Sequence, residues 1–124
     1  MANVPLVSVV DDDESVRESL RGLIRSVGFR VEAFASAEEF SNSEQLHATD
    51  CLILDVRMPG MTGLELQRHL AASEHDIPII FITAHGSDEG VRSRALRDGA
   101  VAYLTKPFSE EALLEAINTA VTAE

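Results

Sequence analysis

Residues 6–13 read LVSVVDDD, an apolar run that ends in three successive aspartates. It is the first of five short apolar runs, and segments with helical spacing follow each of them. Three of the runs are nearly continuous, which is typical of strands that helices cover on both faces. The runs occupy residues 6–10, 31–34, 51–54, 77–82 and 102–104. Five alternations of strand and helix in 124 residues predict an α/β fold built on one parallel sheet.

The segments between the runs carry their own start and stop signals. In the first, apolar residues recur at helical spacing as far as Val27, and Gly28 then ends the pattern as a left-handed cap would. Gly99 is a second candidate for such a helix end. Capping boxes, in which a Ser or Thr lies three positions before a Glu, mark three helix starts. They are Ser15 with Glu18, Ser36 with Glu39, and Thr62 with Glu65.

Right-handed crossovers make a sheet of this kind doubly wound, in the flavodoxin-like manner. The predicted order of its five parallel strands is 2-1-3-4-5, with helices on both faces. Ligands of such sheets bind beyond the carboxyl ends of the strands, near the switch between strands 1 and 3. The length suits one compact unit and no linker-like stretch interrupts it, so we predict a single domain over residues 1–124.

Polar residues follow four of the predicted strands at this same edge. Strand 1 ends in Asp11 and Asp12, strand 3 in Asp55, strand 4 in Thr83 and strand 5 in Lys106. Carboxylates that converge in a cleft repel one another, and Mg²⁺ offsets this repulsion while leaving positions for phosphoryl oxygens. A hydroxyl and an ammonium complete the groups that phosphoryl transfer needs. The pattern predicts a magnesium and phosphoryl site. Asp13 and Glu14 are better explained by capping of the following helix.

The composition argues against several classes of function. Ten Lys and Arg against twenty-one Asp and Glu leave a formal net charge of −11, which argues against direct binding of nucleic acid. No apolar run approaches the roughly 20 residues that a membrane span needs, and the N-terminus lacks the basic region of a secretory signal. The lone Cys51 cannot form an internal disulfide, which fits a reducing cytoplasm.

Four motifs resemble the marker motifs of response-regulator receiver domains, which belong to bacterial two-component systems. They are Val9-Val10-Asp11-Asp12-Asp13, the stretch LDVRMPGMTG at residues 54–63, Ile82-Thr83-Ala84, and Lys106-Pro107-Phe108. The resemblance extends from about residue 6 to residue 121. The wording of the motifs is most similar to the FixJ branch, whose members usually carry a helix-turn-helix output domain.

The resemblance implies a role for each matched position. Asp55 would be the phosphoacceptor, and Asp11, Asp12, Asp55 and the backbone carbonyl of Arg57 would bind Mg²⁺. Thr83 and Lys106 would bind the phosphoryl group, Tyr103 would be an aromatic rotamer switch, and the Lys106–Pro107 peptide would be cis. Phosphorylation would draw Thr83 toward the phosphoryl group, and Tyr103 would turn inward from an exposed position.

The resemblance also implies partners. A sensor histidine kinase or a phosphotransfer protein would supply the phosphoryl group, and phosphorylation would favour a homodimer. The dimer face would include helix 4, strand 5 and helix 5, where Leu114 is expected to be exposed. A C-terminal DNA-binding domain outside this chain would give the transcriptional output. The domain would assist its own phosphorylation and dephosphorylation without being a turnover enzyme.

Two other classes share part of this pattern. A phosphatase of the haloacid-dehalogenase type also needs Asp, Thr, Lys and Mg²⁺, but it carries its nucleophile in a DxD motif on strand 1 and usually has a cap region. A flavodoxin-like electron carrier needs a Ser/Thr/Gly-rich phosphate loop after strand 1, where this chain has acids from Asp11 to Glu14. Glycine-rich nucleotide-binding patterns are absent from the sequence.

Overall fold

The protein is described by a computed structural model covering residues 4–84 and 89–122. Five parallel strands form one sheet in the order β2-β1-β3-β4-β5. They are β1 (Leu6–Val10), β2 (Arg30–Phe34), β3 (Cys51–Asp55), β4 (Ile79–Thr83) and β5 (Ala102–Thr105). The predicted fold class and strand order are confirmed. The fourth strand begins two residues later than predicted, because Pro78 has no N–H to donate to a neighbouring strand.

Helices connect the strands and cover both faces of the sheet. They are α1 (Glu14–Ser26), α2 (Ala37–Ser41), α3 (Gly63–Ala72), α4 (Glu89–Arg97) and α5 (Glu110–Thr122), with a short 3-10 helix at Glu44–Leu46. Side chains of β3 alternate between two cores: Leu52 and Leu54 join the core under α2, α3 and α4, whereas Cys51 and Ile53 join the core under α1 and α5. None of the described helices has the length and apolar content to cross a bilayer.

The start of α1 differs from the sequence prediction. Asp13 caps the helix, and its Oδ1 accepts hydrogen bonds from the N–H groups of Ser15 at 2.8 Å and Val16 at 3.4 Å. These bonds hold the pKa of Asp13 below its ordinary value. The predicted capping box of Ser15 with Glu18 is therefore wrong, because Ser15 already lies inside the helix. The alternative assignment of Asp13 to capping is confirmed.

The other helix-end predictions fare better. Thr62 and Glu65 form the full capping box, with reciprocal bonds of 3.2 and 2.8 Å. Ser36 caps α2 by accepting from the N–H of Glu39 at 3.1 Å. The glycines at the ends of α1 and α4 both have left-handed backbones, with φ of +98° at position 28 and +102° at position 99.

Leu114 does not lie where the sequence suggested. Its side chain is half-buried and packs against the core under α1 and α5. The apolar face of α5 is wider than the stripe predicted from the sequence, because positions that flank the stripe also pack against this core. The expectation that Leu114 is exposed is therefore wrong.

Candidate functional site

The carboxyl ends of β1 and β3 lie side by side at one edge of the sheet. Val10 pairs with Leu54, so Asp11 and Asp55, which follow them, are neighbours. Asp11 is fully buried, Asp55 is 6% exposed, and Asp12 beside them is exposed. Each of the three offers a carboxylate oxygen, and these oxygens all lie within 4.8 Å of one another. The structure thus brings together the three carboxylates singled out in the sequence.

Hydrogen bonds hold the buried Asp11 in place. Its N–H donates to the carbonyl oxygen of Phe34 at 3.1 Å, and its own carbonyl oxygen accepts from Nη1 of Arg17 at 2.8 Å. Its side-chain Oδ1 accepts from the N–H of Asp13 at 2.9 Å. The other oxygen, Oδ2, accepts from Nζ of Lys106 at 3.0 Å. A carboxylate held through both oxygens has a well-defined orientation before any ligand arrives.

Lys106 brings the positive charge to the cluster from the end of β5. Its Nζ lies 3.0 Å from Oδ2 of Asp11 and 3.9 Å from Oδ2 of Asp55. The backbone N–H of Lys106 donates to the carbonyl oxygen of Thr83 at 2.7 Å, which joins the ends of β5 and β4. The Lys106–Pro107 peptide is cis, as predicted.

The electrostatics of the cluster are unbalanced. Burial raises the pKa of Asp55 to about 6, and repulsion from the Asp11 carboxylate adds to the shift. The Lys106 ammonium and the N–H of Arg57, which donates to Oδ1 of Asp55 at 3.3 Å, act in the opposite direction. Because three carboxylates face one ammonium, the ionised cluster keeps a surplus of about two negative charges.

These donors fit a hard divalent cation. Mg²⁺ prefers oxygen ligands, takes one or two carboxylates directly and keeps several waters. The surplus of about two negative charges matches the charge of such an ion. Burial raises the pKa of Asp55 most, and repulsion from Asp11 adds to the shift, so a bound cation would favour the ionised form of Asp55. Within residues 4–84 and 89–122, this is the one group of three carboxylate, imidazole or thiol ligands close enough to share an ion.

Thr83 and Tyr103 lie on the two strands beyond Asp55. Asp55 pairs with Ile82, so Thr83 is one residue further along β4 at the same edge, and its side chain is buried. Tyr103 is 7% exposed, and its ring centroid lies 6.3 Å from that of Phe81. The expectation that Tyr103 starts from an exposed position is wrong for this structure, because the ring already fills space in the core under α4.

Two contacts near the site were not expected from the sequence. One is the bond from Arg17 to the carbonyl oxygen of Asp11. The other joins the carboxylate of Glu38, in α2, to the loop after β3. Spacing along one helix gives no signal for either contact, because each joins a helix side chain to backbone outside that helix. His85, which the sequence predicts to lie near Asp55, is outside the described residues.

The chain is thus a doubly wound α/β domain with an acidic site at the carboxyl edge of its sheet, and comparisons with known proteins identify the family. Residues 7–118 match the response regulator receiver domain, and the chain belongs to that family. Response regulator protein TmoT of Ectopseudomonas mendocina is 51% identical over 116 residues, which cover 94% of this chain and 52% of TmoT. The chain thus spans about half the length of the curated relatives it matches.

Solved structures agree with the assignment. The response regulator StyR is 51% identical and superposes with a TM-score of 0.90, over 98% of this chain and 61% of StyR. FixJ-N is 37% identical with a TM-score of 0.86, over 99% of this chain and 98% of FixJ-N. The resemblance to the FixJ branch is therefore confirmed. The proteins matched are response regulators, which are signalling proteins rather than classical enzymes, and the phosphatase alternative has no support.

Proposed function

We propose that this receiver domain accepts a phosphoryl group on Asp55, with Mg²⁺ as cofactor. The observation that carries the proposal is the convergence of Asp11, Asp12 and Asp55 at the carboxyl edge of the sheet, where the Lys106 ammonium pairs with Asp11 and Asp55. Capping explains Asp13 but leaves the other three carboxylates without a structural reason. Phosphoryl transfer from a histidine supplies that reason, because it needs an acidic acceptor, a divalent cation and a nearby positive charge.

In the proposed reaction, an ionised oxygen of Asp55 attacks phosphorus while the bond between phosphorus and the donor nitrogen breaks. With a pKa of about 6, Asp55 is mostly ionised at neutral pH even before a cation binds. Lys106 lies between Asp11 and Asp55 and is in position to pair with a phosphoryl oxygen. The hydroxyl of Thr83, at the end of β4, donates to another.

Asp11, Asp12, Asp55 and the backbone carbonyl of Arg57 would hold the Mg²⁺. When bound, the ion neutralises charge on the phosphoryl oxygens and on the carboxylates. Asp11 is already oriented through both oxygens, and the N–H of Arg57 donates to Asp55, so the segment that carries the carbonyl is attached to the acceptor. The same groups would assist hydrolysis of the phosphoaspartate, so the domain acts on itself without turning over a separate substrate.

The partners follow from the same proposal. A sensor histidine kinase or a phosphotransfer protein supplies the phosphoryl group in the bacterial cytoplasm, where the single buried thiol of Cys51 stays reduced. Residues 1–124 form one receiver domain. Since the relatives are about twice as long, we propose that an additional C-terminal DNA-binding domain converts phosphorylation into control of transcription.

The test uses the protein with Mg²⁺ and a small phosphodonor such as acetyl phosphate. The parent should gain one phosphoryl group that is labile to base and hydroxylamine, and Asp55→Asn should gain none, as mass spectrometry of the intact protein will show. Asp50→Asn is a matched control, because it changes another aspartate next to β3 at the opposite end of the strand. Stoichiometric labelling of Asp55→Asn would disprove the mechanism.

We further propose that Thr83 couples phosphorylation to homodimerisation through the face of α4, β5 and α5. The phosphoryl group brings about two negative charges to the end of β3 and draws the Thr83 hydroxyl toward it. The space around the buried Tyr103 then changes, and Arg92, whose Cζ lies 6.0 Å from the ring centroid of Tyr103, carries the change to the exposed side of α4. Two states that interact differently with phosphate need differ by only a few kcal/mol.

If Thr83 couples the two events, its loss should affect dimerisation but not phosphorylation. Thr83→Ala should still accept phosphate on Asp55, while its phosphorylation-dependent dimerisation should fail in sedimentation velocity experiments. A variant that dimerises on phosphorylation as well as the parent does would exclude Thr83 as the coupling residue.

A further inference from the structure

The loop between β3 and α3 carries Arg57, whose carbonyl is one of the proposed metal ligands. Two backbone hydrogen bonds hold the base of this loop. The N–H of Val56 donates to the carbonyl oxygen of Ile82 at 3.2 Å, and the N–H of Gly63 donates to the carbonyl oxygen of Val56 at 3.0 Å. Between these points the side chain of Met58 is buried in the core under α2, α3 and α4. The base and one side chain of the loop are thus fixed by the sheet and the core.

The outer part of the loop is attached in a different way. The N–H of Met61 donates to Oε2 of Glu38 at 2.9 Å. Among the hydrogen bonds within residues 4–84 and 89–122, this is the one that joins residues 58–61 to another element. Glu38 lies 23 residues earlier in the chain, on α2. Its neighbours Ala37 and Phe40 are fully buried, so the helix that presents the carboxylate has a fixed position.

Gly60, the residue before Met61, lets the backbone of the loop lie close to the Glu38 carboxylate. Its backbone has φ of +77°, a conformation that favours glycine, and a Cβ added there would lie 2.6 Å from Oε2 of Glu38. The carboxylate therefore rests against the backbone of Gly60 while it accepts from the next residue. Any larger side chain at position 60 would have to displace the carboxylate. Two successive loop residues are shaped around one side chain of α2.

We propose that Glu38 is a positioning residue for the magnesium site. Val56 and the buried Met58 hold the peptide groups on either side of the Arg57 carbonyl. Glu38, by holding Gly60 and Met61 against α2, restrains the loop beyond Met58, so that movement of this outer part does not shift the carbonyl. Among the described residues, no hydrogen bond or ion pair joins Glu38 to the carboxylate cluster or to Asp55. The inference rests on the proposed function, since it assumes that the Arg57 carbonyl is a ligand of Mg²⁺. Outer groups that orient metal ligands commonly change metal affinity severalfold or more.

The effect of the Glu38 charge on Mg²⁺ binding must be distinguished from the effect of its hydrogen bond to Met61. A carboxylate near the cluster would strengthen cation binding at long range even without touching the loop. The chain offers a matched control in Glu39, the next residue of α2, which is also exposed and carries the same charge. Glu38→Gln keeps an oxygen that can accept from Met61 but removes the charge. Glu38→Asp keeps the charge but shortens the side chain by one methylene.

The experiment is a titration of the unphosphorylated proteins with Mg²⁺ alone, followed by amide chemical shifts in NMR spectra. If Glu38 positions the loop, Glu38→Ala and Glu38→Asp should weaken Mg²⁺ binding about 5-fold, below the range seen for direct partners of metal ligands. Glu38→Gln and Glu39→Ala should bind within about twofold of the parent, on the same reasoning. If Glu38→Asp binds like the parent while Glu38→Gln and Glu39→Ala bind weakly, charge alone is responsible and the inference is wrong.

Hydrogen exchange gives a second readout that needs no metal. The amide of Met61 should exchange faster in Glu38→Ala and Glu38→Asp than in the parent, and at the parental rate in Glu38→Gln and Glu39→Ala. Equal protection of Met61 in all variants would overturn the positioning role. A parent protein that fails to bind Mg²⁺ would overturn the proposed function together with the inference. A parent that binds Mg²⁺ no better than Glu38→Ala would overturn the inference alone.

Discussion

The two edges of the sheet treat their polar groups in opposite ways. At the amino edge, Oδ2 of Asp50 accepts from the N–H of Leu6 at 2.8 Å, which joins the start of β1 to the residue before β3. Nearby, the hydroxyls of Ser8 and Thr49 share a hydrogen bond of 2.7 Å, and Thr49 also donates to the carbonyl oxygen of Gln45 at 2.6 Å. Each of these groups is satisfied by the chain itself.

The carboxyl edge has no such balance. One ammonium, that of Lys106, pairs with Asp11 and Asp55, and Asp12 adds a third carboxylate beside them. The pKa of Asp55 is raised to about 6 because burial and a neighbouring carboxylate disfavour its charge. A folded chain gains little from such an arrangement, whereas the satisfied groups of the other edge contribute to stability. Under the proposed function, polar groups at the amino edge serve the fold, whereas those at the carboxyl edge serve a ligand. Departures from local balance are expected at functional sites.

The largest expected effect is on Mg²⁺ affinity, which should depend on an aspartate at the carboxyl edge and not on one at the amino edge. Asp12→Ala should weaken Mg²⁺ binding at least about tenfold, because it removes a carboxylate from the proposed ligand set, and phosphorylation should be lost with it. Asp50→Asn should leave both unchanged. Calorimetric titration and phosphorylation assays of the two variants measure the difference. Normal phosphorylation of Asp12→Ala would mean that the acidic run is only a surface feature.

A second effect concerns stability without metal. The folded state holds the proton of Asp55 more tightly than the unfolded chain does, so stability falls as the pH rises from the ordinary value of 3.8 through about 6. A shift of this size is worth about 2–3 kcal/mol. Asp55→Asn removes that cost, so its gain in the free energy of unfolding should be close to the full amount at pH 8 and should fall to a small fraction of it near pH 4.

Urea denaturation of the parent and the variant across this pH range measures the gain. Asp50→Asn should show no gain at any pH, because Asp50 is not part of the carboxylate cluster and the amide oxygen of the variant can still accept from the N–H of Leu6. A gain of equal size at pH 4 and pH 8 would contradict the assignment of the cost to the charge of Asp55.

The smallest expected effect is on stability, and it distinguishes Asp13, which caps α1, from its neighbour Asp12, a proposed metal ligand. Asp13→Ala should lower stability by the modest amount typical of a lost helix cap, because Ser15 and Val16 would lose their acceptor. It should leave Mg²⁺ affinity unchanged, although Asp13 is adjacent to Asp12. Asp13→Asn should keep the cap and thus the stability. Weaker Mg²⁺ binding in Asp13→Ala would extend the site to the helix cap and blur the contrast between the edges.

Much of this protein follows from patterns that the sequence displays directly. The apolar runs predicted four of the five strands to within one residue at each end, and the alternation of strand and helix predicted their order. The parallel sheet then required Asp11, Asp55, Thr83 and Lys106 to meet at one edge. This inference needs no side-chain detail, since consecutive parallel strands all end on the same side.

Other features arose only when the elements packed together. Asp13 rather than Ser15 caps α1, Tyr103 is buried rather than exposed, and Glu38 reaches Met61 across 23 residues of chain. Periodicity reports which face of an element is covered, but it does not say how far a neighbouring helix lies or which side chain spans the gap. Those distances depend on packing between α2, α4 and the sheet, where many side chains share the available volume. The sequence alone therefore predicts which chemical groups meet at the site, whereas the contacts that hold those groups in place depend on how the elements pack.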